Sequence, residues 1–281
     1  MRVGVGVSST GSQSIPSFLL ECVLTAEKAG FADIWLQERI AIAPEDSQSG
    51  GGRCLDPLAT LAWLAGQTTR IGLGMSALIL PYRPPLITAK TVATLQDLSN
   101  NRVSLGVGVG WMESEFQALG VPRSERGKRT DESLEFFNTC FKDDVMVANG
   151  QSFLFLPRPK KPPVYVGGAG DHALRRTVAY AEGWMPMFQF WRKRPDTVEP
   201  EELGPEIARL HAMAAEAGRK DPLEVILGIA VDLDEPRQTA DRMNLIREAG
   251  VTGVVTGAPF ETIDGFRRIL DFLGEHVLES K

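Results

Sequence analysis

The stretch "SLGVGVGWMESEF", Ser104 to Phe116, places glycines at positions 106, 108 and 110 and then turns aromatic and acidic. It could be a nucleotide-binding glycine loop or the end of a buried strand. A dinucleotide fingerprint needs G-x-G-x-x-G opening a helix. Gly106 and Gly108 fill the first two places, but Trp111 takes the third; starting instead from Gly108 and Gly110 puts Glu113 there. The third glycine lets helix and strand pack closely, and a Trp or Glu side chain defeats that. No Gly-Lys-Ser/Thr occurs, so the phosphate-binding P-loop is absent as well. The alternation is that of a strand. Its small residues either let a flat ligand approach the backbone or relieve crowding inside a barrel.

Working outward, short β-branched runs alternate with longer amphipathic segments. Strands are expected at Arg2 to Val7, Asp33 to Leu36, Arg70 to Leu80, Arg102 to Gly108, Pro163 to Val166, Gly183 to Pro186, Glu224 to Val231 and Val251 to Thr256. Helices are expected at Ser17 to Ala29, Leu58 to Thr68, Pro85 to Leu98, Arg126 to Phe141, His172 to Ala181, Pro205 to Ala217, Pro236 to Ala249 and Ile263 to Leu273. Gly30 is a good left-handed stop for the first helix, and Asp56-Pro57 is an N-cap followed by proline at the first helical position. Eight strand–helix units in a row imply parallel pairing through right-handed crossovers. The expected fold is α/β, a (β/α)8 TIM barrel, although a doubly wound sheet uses the same alternation. No linker divides the chain, so residues 1–281 are expected to form a single domain. Three excursions, Glu38 to Arg53, Val145 to Lys160 and Phe188 to Gly204, are expected to be long loops of functional value, such as those shaping the C-terminal face.

Bulk properties narrow the function classes. Hydrophobic residues make up 43%, enough for a sizeable core, and the net charge of −6 argues against a nucleic-acid partner. Cys22, Cys54 and Cys140 form no CxxC and suit a reducing, cytoplasmic setting. No apolar run reaches the length of a membrane span, and the first residues lack a signal-peptide core. His172, His211 and His276 form no metal-ligand pattern, so no metal is expected. No G-x-S-x-G elbow appears, which disfavours a hydrolase. Gly167, Gly168, Ala169 and Gly170 lie between a strand and a helix, where backbone amides attract phosphate.

Residues 101–137, "NRVSLGVGVGWMESEFQALGVPRSERGKRTDESLEFF", resemble the bacterial luciferase-like flavin and deazaflavin oxidoreductases. The resemblance continues in "DPLATLAWLAGQTTRIGLGMSALILPYRPP" (56–85) and in "PPVYVGGAGDHALRRTVAYAEGWMP" (162–186). It implies a (β/α)8 barrel whose mouth seats a flat redox ring. It implies a bulge with a non-proline cis peptide at Ser76-Ala77, where Ala77 presses on one ring face. Gly108, Val109 and Gly110 would lie along the ring, and Gly167, Gly168 and Ala169 would bind the cofactor phosphate. At the end of the second strand the family commonly has an acid followed by His; this chain has Glu38 and Arg39. Arginine stays protonated and cannot act as general acid or base near neutrality. It can hold an anionic substrate group or stabilise negative charge, or belong with Glu38 to a structural ion pair. Some members carry a proton-donating glutamate after the fourth strand; here the aligned residue is Trp111, with Glu113 a weaker candidate and Glu115 expected at the surface or in a helix start.

The family divides between users of coenzyme F420 and of FMN. The form of residues 106–127 is closer to the deazaflavin branch, so coenzyme F420 is the expected cofactor, with hydride transfer to or from a small-molecule substrate. Basic clusters at Arg158, Lys160 and Lys161 and at Arg192, Lys193 and Arg194 could screen its acidic tail. An FMN-dependent monooxygenase, which needs a flavin reductase partner, and a barrel that only binds flavin remain the alternatives. Trp111, Trp184, Phe188 and Trp191 would line the pocket or belong to the core. Family members often pair, so a homodimer is expected.

Overall fold

The computed structural model of the chain describes residues 1–47, 52–186 and 200–278. The strands are β1 (Arg2–Gly6), β2 (Asp33–Leu36), β3 (Gly72–Ile79), β4 (Val103–Gly108), β5 (Val145–Ala148), β6 (Gln151–Leu154), β7 (Val164–Gly167), β8 (Gly183–Met185), β9 (Glu224–Ala230) and β10 (Gly253–Gly257). All but β5 and β6 pair in parallel and close into a barrel in the order β1-β10-β9-β8-β7-β4-β3-β2. The architecture is therefore the α/β TIM barrel that the alternation predicts.

The helices are α1 (Pro16–Lys28), α2 (Pro57–Ala65), α3 (Pro85–Leu98), α4 (Glu113–Ala118), α5 (Arg126–Cys140), α6 (Gly170–Tyr180), α7 (Pro200–Glu216), α8 (Pro236–Glu248) and α9 (Ile263–His276). Asp56 caps α2 by accepting from the Ala59 amide at 2.8 Å, and Gly30 takes φ +86° just beyond α1. Three elements depart from the expected pattern. The excursion after α5 contains the antiparallel β5–β6 hairpin, paired Val145 with Leu154. The short helix α4 follows β4. Helix α7 begins at Pro200, so Pro205 sits inside it and not at its start. The excursion at 188–204 lies almost wholly outside the described residues, as do Phe188, Trp191, Arg192, Lys193 and Arg194.

Two apolar regions hold the barrel. One packs the outward strand faces against the helices, from Val3 and Leu19 to Leu273. The other fills the barrel itself: Trp35, Tyr165, Met185 and Ile226, with Val255 against them. Glycines make room for these large side chains. A Cβ on Gly74 would lie 2.3 Å from the Trp35 ring, and one on Gly106 would lie 2.4 Å from the Met75 carbonyl and 2.8 Å from the Met185 sulfur. The barrel is thus a packed core and not a pore, which leaves its C-terminal mouth as the place for a ligand. Among the described residues, no helix is long and apolar enough to cross a membrane.

Candidate active site

Of the connections at the mouth, those after β2, β3, β4 and β7 carry the residues singled out in the sequence. Strand β3 changes register against β4 between Met75 and Leu78, and the Ser76-Ala77 peptide is cis, as the resemblance implies. The bulge turns Ser76 out to solvent and leaves Ala77 half-buried, on a strand whose earlier residues are buried. Gly108 stands opposite: a Cβ there would meet the Ala77 Cβ at 3.5 Å and the Ile79 Cδ1 methyl at 3.2 Å. A side chain at 108 would narrow the space beside Ala77. Gly110 takes φ +78°, and a Cβ on it would press on Phe116 at 2.9 Å, so this glycine serves the turn into α4. The three alternating glycines therefore have three tasks: room for the barrel filling, a ledge at the mouth, and a turn. Val109, between the last two, is half-buried.

The glycine turn after β7 also faces the mouth. Gly168 has φ +107°, a conformation suited to glycine. The indole of Trp184 donates to the Gly168 carbonyl at 2.8 Å and so orients the turn. Trp184 is fully buried, so of its two expected places, pocket lining or core, it takes the core and buttresses the turn. Ala169 is the N-cap of α6 and makes no side-chain cap, so the first amides of α6 have no side-chain acceptor of that kind. A cavity of about 300 Å³ opens beside Ser76, between Gly6, Trp35, Gln37, Val255 and Phe260.

Glu38 is buried and acts as a strut. It pairs with Arg83 and accepts from the Ile79 amide at 2.5 Å, while Arg83 also reaches Asp56 at 2.8 Å. Burial pushes the Glu38 carboxyl up, against the pull of Arg83 and the Ile79 amide. Among the described residues Arg39 makes no ion pair with the Glu38 carboxylate; it donates to the Glu38 carbonyl at 3.3 Å. Its guanidinium lies 5.2 Å from the centroid of the Trp111 ring, within cation–π range. The two residues that depart from the family pattern are thus one unit.

Glu115 was expected at the surface or in a helix start, and the structure corrects the first of these: it is buried inside α4. It accepts from the Ile40 and Ala41 amides at 2.7 and 3.3 Å and from the Tyr82 hydroxyl at 2.8 Å. Burial and the Glu115 carboxylate push the Tyr82 phenol well above its usual range, so it stays a donor. Glu113 is exposed and pairs with Arg123 at 3.5 Å. Sequence reasoning missed Arg83 and Tyr82, and it named Glu115 without its buried role. The only available signal for the first two was their place in "LPYRPP", directly after a barrel strand. Arg158 and Lys161 are also corrected. They pair with Asp144 and Glu182 and precede β7, which puts them at the end of the barrel opposite the mouth. Among the described residues no His/Cys/Asp/Glu group could hold a metal.

The sequence profile of the luciferase-like monooxygenases matches residues 1–272. The chain belongs to that family. An uncharacterized protein of Mycobacterium tuberculosis is 32% identical over 260 residues, covering 86% of this chain and 85% of its own. Among solved structures, an F420-dependent secondary alcohol dehydrogenase in complex with an F420–acetone adduct superimposes with TM-score 0.78 at 17% identity, covering 98% of both chains. The EDTA monooxygenase of Chelativorans sp. BNC1 gives TM-score 0.80 at 12% identity, covering 98% of this chain and 93% of its own. At such identities the likeness is one of fold. As a luciferase-like protein, the chain is an oxidoreductase of a group whose fold neighbours include F420-dependent enzymes and monooxygenases.

Proposed function

We propose that this chain exchanges hydride between coenzyme F420 and a small organic substrate. The observation that carries the reading is the cation at the mouth: Arg39 over Trp111, with the buried carboxylates Glu38 and Glu115 already engaged by Arg83, Tyr82 and main-chain amides. Among these described residues the group left to meet a substrate is a permanent cation and not a proton relay. That suits a reaction in which negative charge grows on a substrate oxygen as hydride moves.

The residues present fit a flat tricycle. Gly108 and Ala77 leave a ledge that a Cβ at 108 would narrow, and the turn at Gly168 opens a helix start that accepts an anionic linker. When bound, the deazaflavin supplies two-electron hydride exchange without ready reaction with dioxygen. The chain's own residues do the rest. Ala77 would support one ring face, the amides from Gly167 to Ala169 would hold the phosphate, and Arg39 would stabilise charge on the substrate oxygen. Arg39 takes no proton itself, so proton exchange with that oxygen falls to solvent.

Titration of the purified protein with coenzyme F420 and with FMN, followed by fluorescence and thermal shift, tests the reading. The expected result is tight F420 binding, no FMN binding, and turnover on a panel of carbonyls, enones and alcohols. FMN binding with oxygen uptake from reduced FMN would replace it by a monooxygenase. Binding without turnover on any substrate would reduce the protein to a carrier.

A further inference from the structure

We propose that Glu115 is a positioning residue for Arg39, acting through the main chain with Tyr82 as its lock. The inference rests on the reading of Arg39 as the cation that meets the substrate. Glu115 is 1% exposed. One carboxylate oxygen accepts the two amides that directly follow Arg39, those of Ile40 and Ala41, and the other accepts the Tyr82 hydroxyl. Three connections meet on this one group: the loop after β2, the 3-10 turn Leu80–Tyr82 after β3, and α4 after β4.

The geometry goes beyond a plain core strut. A buried carboxylate needs several strong donors to offset its lost hydration, and here two of them come from the backbone adjoining Arg39. Gripping consecutive amides fixes the dihedrals on the C-terminal side of Arg39, and hence the direction in which its side chain leaves the loop. The same connection supplies the other half of the arrangement. Trp111, the ring under the guanidinium, lies four residues before Glu115. A single segment therefore sets both the surface on which the cation rests and the backbone from which it projects. Tyr82 is held in turn by an edge-on contact with Phe116, 5.0 Å between centroids, so the lock is itself anchored to α4.

The test uses Glu115→Gln and Tyr82→Phe in the full chain, with Arg39→Ala as reference. Before cofactor is added, the indole resonance of Trp111 (assigned with Trp111→Phe) and the exchange of the Ile40 and Ala41 amides are measured. In both variants the indole resonance moves toward its position in Arg39→Ala, and amide protection falls about tenfold or more. With F420, kcat falls about tenfold while cofactor affinity holds, and adding Glu115→Gln to Arg39→Ala lowers kcat no further. An unmoved resonance, or losses that multiply in the double variant, overturns the proposal. Should Glu115→Gln fail to fold, Tyr82→Phe carries the same readouts, since its ring still packs on Phe116. If no substrate turns over with F420, the resonance and exchange still decide the role of Glu115, and only the proposed reaction falls.

Discussion

Glu27 and Glu115 use the same chemistry at opposite ends of the barrel. Glu27, in the last turn of α1, accepts from the amides of Thr69, Arg70 and Ile71 at 2.9, 2.7 and 3.0 Å and so pins the chain entering β3. Glu115 grips the amides of Ile40 and Ala41 at the mouth. The first is partly exposed and holds a connection that carries no site residue. The second is buried and holds a loop that carries the candidate substrate cation. Carboxylate-to-amide clamping is thus a fold device at the N-terminal end of this barrel and a site device at the C-terminal end. The same division separates Gly106, crowded by the barrel filling, from Gly108, which borders the mouth.

If the two ends differ in this way, mouth variants should lose binding or turnover at nearly unchanged stability, and floor variants the reverse. The largest expected effect is Gly168→Asp. It places negative charge where the cofactor phosphate is proposed, and because it also puts a side chain at φ +107° it is the one mouth variant expected to lose some stability too, so Gly168→Ala, equally strained but uncharged, is its control. Cofactor affinity in a titration should fall about a hundredfold or more; wild-type affinity would move the phosphate site elsewhere. Arg39→Ala should lower kcat about a hundredfold with cofactor affinity held, and unchanged turnover would leave Arg39 a structural partner of Trp111.

A smaller effect separates the two glycines. Gly106→Ala drives a Cβ to 2.4 Å from a backbone carbonyl and should cost about 1–3 kcal/mol in a denaturant melt. Gly108→Ala meets the Ile79 methyl at 3.2 Å, which a side-chain rotation relieves, and should keep its Tm while weakening cofactor binding. The opposite pairing of effects would break the contrast between floor and mouth.

The smallest effect is Glu27→Gln, about 1 kcal/mol at pH 7 after solvent screening. Burial opposes ionisation of Glu27, but the amides of Arg70, Ile71 and Thr69 outweigh it and hold the carboxyl below its usual range. A lowered folded value means that the contribution is present above the unfolded value of about 4.3 and disappears as pH falls through the folded one. Melts of wild type and variant should therefore converge in acid, with turnover at neutral pH alike in both.

Much of the fold was legible in the sequence. The eight strand–helix units follow from the spacing of apolar runs, and Asp56 and Gly30 stand where their caps were expected. The parts that escaped are short or atypical. Helix α4 spans too few residues to show a period, and β5–β6 is a short hairpin whose Asn149-Gly150 turn, both residues at positive φ, stood in the sequence as a hairpin signal that the eight-unit reading passed over. At the site, the cis peptide and the glycine turn were expected from resemblance, whereas the partners of Glu38 and Glu115 were not.

By itself, then, the amino-acid order determined the barrel, because hydrophobic periodicity is local and each strand–helix unit repeats it. It also marked Arg39 and Trp111 as separate departures. Only the tertiary structure decided that these two residues meet, that Glu38 belongs to Arg83, and that Glu115 belongs to the loop behind Arg39. Those pairings join residues 45, 72 and 75 positions apart. Parallel pairing sets them by bringing the carboxyl ends of β2, β3 and β4, neighbours in the barrel, to one rim, and no local pattern encodes which side chains then face one another.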